Sequence, residues 1–145
     1  MINAQNILEI KGKDVWSISP DDTVYDALRL MARVDCGALL VMENDKLVGM
    51  ISERDYARKV ILFGKTSKET LVREIMTNKV FTIHPMQICE ECMQIMTRNK
   101  IRHLPVVLEG KVIGVISIGD VVKHLMHKQK EKIRDLTERV LQSDS

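Results

Sequence analysis

The chain repeats itself. Residues 14–55, "DVWSISPDDTVYDALRLMARVDCGALLVMENDKLVGMISERD", align without a gap on residues 79–120, "KVFTIHPMQICEECMQIMTRNKIRHLPVVLEGKVIGVISIGD", at an offset of 65. Twelve of the 42 aligned positions are identical, among them Pro20 with Pro85, Met31 with Met96, Gly49 with Gly114, Ser52 with Ser117 and Asp55 with Asp120. Self-similarity at a fixed period marks a supersecondary unit that cannot bury its apolar face alone. Two such units are therefore expected to pack on each other about a pseudo-two-fold axis.

Each copy reads in one order. A short extended segment ("VWSIS", "VFTIH") precedes a helix. Ser19-Pro20 is expected to open that helix as N-cap and first helical residue, with His84-Pro85 doing so less well. Val24, Ala27, Leu28, Leu30 and Met31 form an apolar stripe at helical spacing, matched by Ile88, Cys89, Cys92, Met93, Ile95 and Met96. Two strands joined by a polar turn follow ("ALLVM" and "LVGMIS"; "HLPVV" and "VIGVIS"), and each pair feeds a helix. The expected fold is α/β: two strand-helix-strand-strand-helix repeats, at 1–63 and 79–127. A linker helix is expected at 64–78, opened by a Thr66–Glu69 capping box. A charged helical tail at 128–145 carries Ile133, Leu136 and Val140 on one side.

Composition narrows the function. A net charge of +2 gives no electrostatic footprint for nucleic acid or a membrane surface. No apolar run approaches the roughly 20 residues of a membrane span, and "MINAQNILEI" lacks the apolar region of a secretory signal. Three cysteines, an odd number, fit reduced thiols and a cytoplasmic location. Motifs for nucleophilic, P-loop, zinc-protease or dinucleotide chemistry are missing, so no catalytic residues are nominated.

The pattern G-h-h-S-x-x-D, stated at Gly49–Asp55 and Gly114–Asp120, has two readings. Ser52–Asp55 and Ser117–Asp120 fit capping boxes, a local structural role. The same atoms suit a ligand. A carboxylate just past a strand can accept bonds from two vicinal ribose hydroxyls, and serine with the helix N-terminal amides can face a phosphate.

With "RHLPVV" and the element order, the doubled motif resembles the tandem cystathionine-β-synthase (CBS) domain pair, or Bateman module. It is most similar to stand-alone bacterial two-CBS proteins assigned to signal transduction. The resemblance covers essentially the whole chain. It implies a homodimer and a regulatory adenosine ligand (AMP, ATP or NAD) in clefts between the repeats, with no cofactor required. It makes Asp55 and Asp120 the ribose candidates, and Ser52 and Ser117 the phosphate-side candidates. At the strand entry, where the family often carries a base, the second copy has Ile101, Arg102 and His103, whereas the first has Gly37 and Ala38. Arg102 offers a planar fork for phosphate, and His103 a donor when protonated. The nearest bases in the first copy are Arg54 and Arg58. Family geometry adds Lys13 on the Asp120 side and Met76 and Asn78 on the Asp55 side. The Asp120 site is expected to be the better phosphate site.

Cys89-Glu90-Glu91-Cys92 imitates a redox or zinc motif. It lies mid-helix opposite the apolar Val24 and Ala27 of the first copy, so it reads as core, with no metal site expected. Two further readings of the chain remain: a dimeric scaffold whose clefts hold no physiological ligand, and an enzyme acting on a bound nucleotide. The ligand's identity and the downstream protein are not legible.

Overall fold

The structure, a computed structural model, describes residues 1–143; the last two residues of the expected tail lie outside them. Along the chain run α1 (Ala4–Lys11), β1 (Ser17–Ile18), α2 (Val24–Val34), β2 (Ala38–Glu43) and β3 (Lys46–Ser52). Then come a one-turn α3 (Glu53–Tyr56), which widens into a π-helical turn at Ala57–Ile61, and a one-turn α4 (Val72–Ile75). The second copy supplies α5 (Cys89–Asn99), β4 (His103–Leu108), β5 (Lys111–Ser117) and the long α6 (Ile118–Ser143).

The chain divides into two bodies. One is residues 14–81; the other joins residues 1–13 to the chain from residue 82 onward. In the first body β1 lies parallel to β2, and β2 pairs antiparallel with β3. In the second, β4 and β5 form the same hairpin, while the segment matching β1 is reduced to a single parallel bridge between Ile83 and Val106. The repeat extends to backbone detail. Asp35 and Lys100, 65 residues apart, end their helices in the left-handed region at φ 54°. The hairpins turn on Asn44-Asp45 and Glu109-Gly110, all at positive φ, the conformation that tight hairpin turns need. Both hairpins shift register at matching places, Val41/Met42 and Val106/Val107.

Helix starts differ from the sequence expectation. Thr23, not Ser19, caps α2, its Oγ1 accepting from Asp26 N–H at 3.1 Å. Residues 19–22 form a turn instead, closed by Asp22 N–H on the Ser19 carbonyl at 3.1 Å. The reason is tertiary: the Pro20 and Asp22 carbonyls accept from Arg73 and Val72 N–H at 3.0 and 2.8 Å, so this backbone serves α4 rather than α2. His84-Pro85 likewise sits in a turn ahead of α5. The expected linker helix is one turn long. Thr66 starts no helix; its carbonyl accepts from the Thr70 hydroxyl at 2.7 Å. The helical turn begins where Glu74 Oε2 accepts from Leu71 N–H at 2.7 Å.

The same docking recurs at the chain's start. Ala4 and Gln5 N–H donate to the Gln87 and Pro85 carbonyls at 2.8 and 2.9 Å. Those are the bonds Val72 and Arg73 make to Asp22 and Pro20, shifted by the repeat. Thus α1 and α4 are equivalent at an offset of 68 residues, and α1 completes the second repeat. An Asn3–Asn6 capping box fixes its start. Its apolar face (Ala4, Ile7, Leu8) is fully buried. In the first body, Val72 and Ile75 of α4 join Val24, Ala27, Met31, Leu39, Val41, Ile51 and Val60 in one core. Cys89 and Cys92 are buried as Val24 and Ala27 are. Burial pushes the Cys92 thiol up to about 11, helped by Cys89 and Glu91, and raises Cys89 too. These are packed thiols rather than reactive ones.

Candidate functional site

Both S-x-x-D turns close as reciprocal caps at the end of a strand. Ser117 N–H donates to Asp120 Oδ2 at 2.8 Å, and Asp120 N–H to Ser117 Oγ at 3.1 Å. In the first copy Ser52 N–H donates to Asp55 Oδ2 at 3.0 Å, and Asp55 N–H to Ser52 Oγ at 3.2 Å. The strand-entry residue completes each turn through its backbone: the Arg102 carbonyl accepts from Ile118 N–H at 2.8 Å, and the Gly37 carbonyl from Glu53 N–H at 3.0 Å. Arg102 and Gly37 are therefore set against the first turn of the helix that carries the carboxylate.

A lysine sits on each carboxylate, and neither was visible in the sequence pattern. Lys11, at the end of α1, places Nζ 2.7 Å from Asp120 Oδ2 and donates to the Val115 carbonyl at 2.9 Å. Lys59 in the π turn lies 3.1 Å from Asp55 Oδ1 and donates to the Ile75 carbonyl at 2.9 Å. The consequence differs between copies. Asp55 has both oxygens engaged: Lys59 lies on Oδ1, while Ser52 N–H and Oγ–H donate to Oδ2 at 3.0 and 3.1 Å. In Asp120 every bond among the described residues lands on Oδ2, and Oδ1 takes none. Its side chain is also the more open, 23% exposed against 14% for Asp55.

Burial raises the Asp120 carboxyl, but the bonds from Lys11 and from Ser117 N–H outweigh it and hold the group below its ordinary value. Burial lowers the His103 imidazole, and the Lys11 and Arg102 charges add to this against the opposing pull of Asp120. His103 is paired with Ser117 across the β4–β5 hairpin.

The nominated residues sort into the two bodies. Lys13, Ile101, Arg102, His103, Ser117 and Asp120 belong to one; Gly37, Ser52, Arg54, Asp55, Arg58, Met76 and Asn78 belong to the other. Arg102, Arg54, Arg58, Lys13 and Asn78 are exposed, and Ile101 and Met76 are half-buried. Lys13 lies past Gly12, which ends α1 at φ 103°; Lys11, two residues earlier, is the one that reaches Asp120. A side chain at Gly37 would meet open space.

The repeated glycines have a shared cause. A Cβ on Gly49 would stand 2.8 Å from the Thr77 carbonyl oxygen and 2.9 Å from Met76 Sδ. A Cβ on Gly114 would stand 2.6 Å from Leu8 Cδ2. Each glycine lets a neighbouring segment close onto the strand that ends at the turn. At Met50 that segment pairs through its backbone, with Met50 N–H on the Thr77 carbonyl at 3.0 Å and Thr77 N–H on the Met50 carbonyl at 2.8 Å. At the matching Val115, Lys11 bonds the carbonyl instead. Among the described residues no group of three or more His, Cys, Asp or Glu could hold a metal ion. No helix among them is long and apolar enough to cross a membrane.

The CBS domain family profile matches residues 7–61 and 72–127, and the chain belongs to that family as a pair of CBS domains, a regulatory module. It is 43% identical over 141 residues to the mitochondrial CBS domain-containing protein CBSX3 of Arabidopsis thaliana, covering 90% of this chain and 68% of that one. It is 36% identical over 135 residues to inosine-5'-monophosphate dehydrogenase of Methanocaldococcus jannaschii, covering 92% of this chain but 26% of the enzyme. A solved structure of a candidate signal-transduction protein with CBS domains from Burkholderia ambifaria superposes with a TM-score of 0.85 at 48% identity, covering 88% of this chain and 96% of that one.

Proposed function

We propose that the protein is a non-catalytic cytoplasmic sensor. It binds an adenosine-containing ligand (AMP, ATP or NAD) at the Ser117–Asp120 turn and, more weakly, at Ser52–Asp55, and it works as a homodimer in signal transduction. The observation that carries the reading is the Asp120 carboxylate: ionised, anchored through Oδ2, with Oδ1 open to accept from a ribose hydroxyl. Ile118 and Asp120 N–H are taken up within the turn, so the N-terminus of α6 contributes chiefly its dipole to an anionic phosphate. The exposed Arg102 supplies a guanidinium fork beside it. The first copy opposes these with a four-residue helix, a closed carboxylate and Gly37. The half-buried and buried free cysteines suit the reducing cytoplasm.

Titration calorimetry with AMP and adenosine tests this. Asp120→Ala removes a charged acceptor worth about 1.5–3 kcal/mol, so affinity falls roughly ten- to a hundred-fold. Asp55→Ala costs less, and Arg102→Ala weakens AMP more than adenosine. Equal AMP affinity for wild type and a folded Asp120→Ala refutes binding at that turn. A second reading, a dimeric scaffold without a ligand, is favoured by the fact that each Ser–Asp pair already serves as a reciprocal helix cap, a complete structural role. It predicts no thermal shift with AMP, ATP or NAD, whereas a true ligand at about 100 times its dissociation constant adds roughly 2.7 kcal/mol.

A further inference from the structure

The second half of α6 leaves a row of apolar side chains exposed, although Lys128 at its start lies 3.7 Å from Glu90 of α5. Every residue from Met126 to Ser143 is exposed, yet the segment is not uniformly polar. Met126 (56% exposed), Ile133 (62%), Leu136 (51%) and Val140 (60%) recur at spacings of seven, three and four. That is the a/d seam of a heptad, with Met126, Ile133 and Val140 at a, and Gln129 and Leu136 at d. Helices in proteins take most of their stability from packing an apolar face, and here that face is bare.

We propose that this seam pairs in parallel, in register, with the same seam of a second copy, forming a short two-stranded coiled coil. The inference rests on the proposed self-association and names a surface and orientation for it. Two observations select the occupant. First, within parallel coils β-branched residues at a with leucine at d favour two strands, and Ile133, Val140 and Leu136 fill those positions. Second, the flanking charges discriminate. Beside the seam stand Lys130 and Thr137 at e, and Lys132 and Arg139 at g. In the parallel register Lys132 meets the second copy's Thr137, so no like charges face each other there. An antiparallel pairing that seats Ile133 on the second copy's Leu136 sets Lys132 against Arg139 twice, which like-charge repulsion disfavours. Gln129 interrupts the apolar seam, as polar core residues do where register is fixed at some cost in stability.

Disulfide trapping in the full-length chain tests this. A disulfide needs Cα atoms within about 7 Å. In the parallel register Val140 faces Val140, whereas in the antiparallel one the two lie about eleven residues, or roughly 16 Å, apart along the axis. Val140→Cys is expected to link two chains under mild oxidation at least tenfold faster than Arg134→Cys, which sits on the outer side of the helix. Circular dichroism confirms that both variants are folded. Light scattering of the wild type separates the two levels of the reading. A dimer whose Val140→Cys links no faster than Arg134→Cys overturns the coiled coil and leaves the homodimer standing. A monomer at micromolar concentration, without linking, overturns both.

Discussion

Gly114→Ala puts a methyl where α1 presses on β5. Its Cβ would lie 2.6 and 2.8 Å from the two Leu8 methyls. Carbon contacts settle at about 3.5–4.0 Å, so Leu8, which is fully buried, must retreat by roughly 1 Å. Overpacking of this kind costs about 1–3 kcal/mol. Leu8→Ala alone leaves a cavity and costs about 2–5 kcal/mol. In the Leu8→Ala background the obstacle is gone. There the second substitution replaces a flexible strand glycine, a change that gains about 0.5–1 kcal/mol. The two substitutions should therefore couple favourably by about 1.5–4 kcal/mol. Urea denaturation of the wild type, both single variants and the double variant gives that coupling directly. Gly49→Ala is the control: its nearest obstacle is the Thr77 carbonyl, so Leu8→Ala should not relieve it. If Gly114→Ala costs the same in both backgrounds, to within about 0.5 kcal/mol, α1 does not dock on the second repeat and the equivalence of α1 with α4 fails.

Two further outcomes follow from protonation. His103 has its folded value lowered from 6.5, so the unfolded chain takes up the proton first as pH falls. Its stabilising contribution is complete above the unfolded value and is lost as pH drops below it. Denaturation midpoints should fall between pH 7.5 and 5.5, and His103→Gln should flatten that fall; an unchanged profile in the variant removes His103 as its source. The buried Cys89 and Cys92 thiols should react with an aromatic disulfide reagent at pH 8 much more slowly than the half-buried Cys36. Rapid reaction of all three, or stoichiometric zinc by elemental analysis, would contradict a core role for Cys89 and Cys92.

What the sequence displayed and what it hid divide along one line. Periodicity and the repeat offset carry the α/β order, the hairpins and the core positions, because each is set by residues close in sequence that recur 65 residues later. The Ser–Asp caps are legible for the same reason: donor and acceptor are three residues apart. The start of α2 was not, because the competitor that draws Pro20 and Asp22 away from it, α4, lies some fifty residues downstream. The role of α1 was hidden more deeply. Its counterpart stands at an offset of 68 rather than 65, so an ungapped comparison passes over it. The signals present were the Asn3–Asn6 cap and the Ile7-Leu8 pair matching Ile75-Met76.

Two nearly identical turns hold their carboxylates differently because different segments supply the lysine. At an offset of 68 Lys11 corresponds to Lys79, which lies over the Phe81 ring at 5.7 Å. At an offset of 65 Lys59 corresponds to the half-buried His124. Each copy thus keeps one lysine for its aspartate but draws it from a different segment. A lysine four residues along the same helix approaches from the helix side and occupies Oδ1, completing the closure of Asp55. A lysine from α1 arrives beside the Val115 carbonyl, joins Ser117 N–H on Oδ2 and leaves Oδ1 uncovered. The cap, the bulge and the glycine hold the backbone of both turns alike. The proposed difference in ligand binding between the turns therefore rests on where the lysine comes from, and on Arg102 standing where the other copy has Gly37.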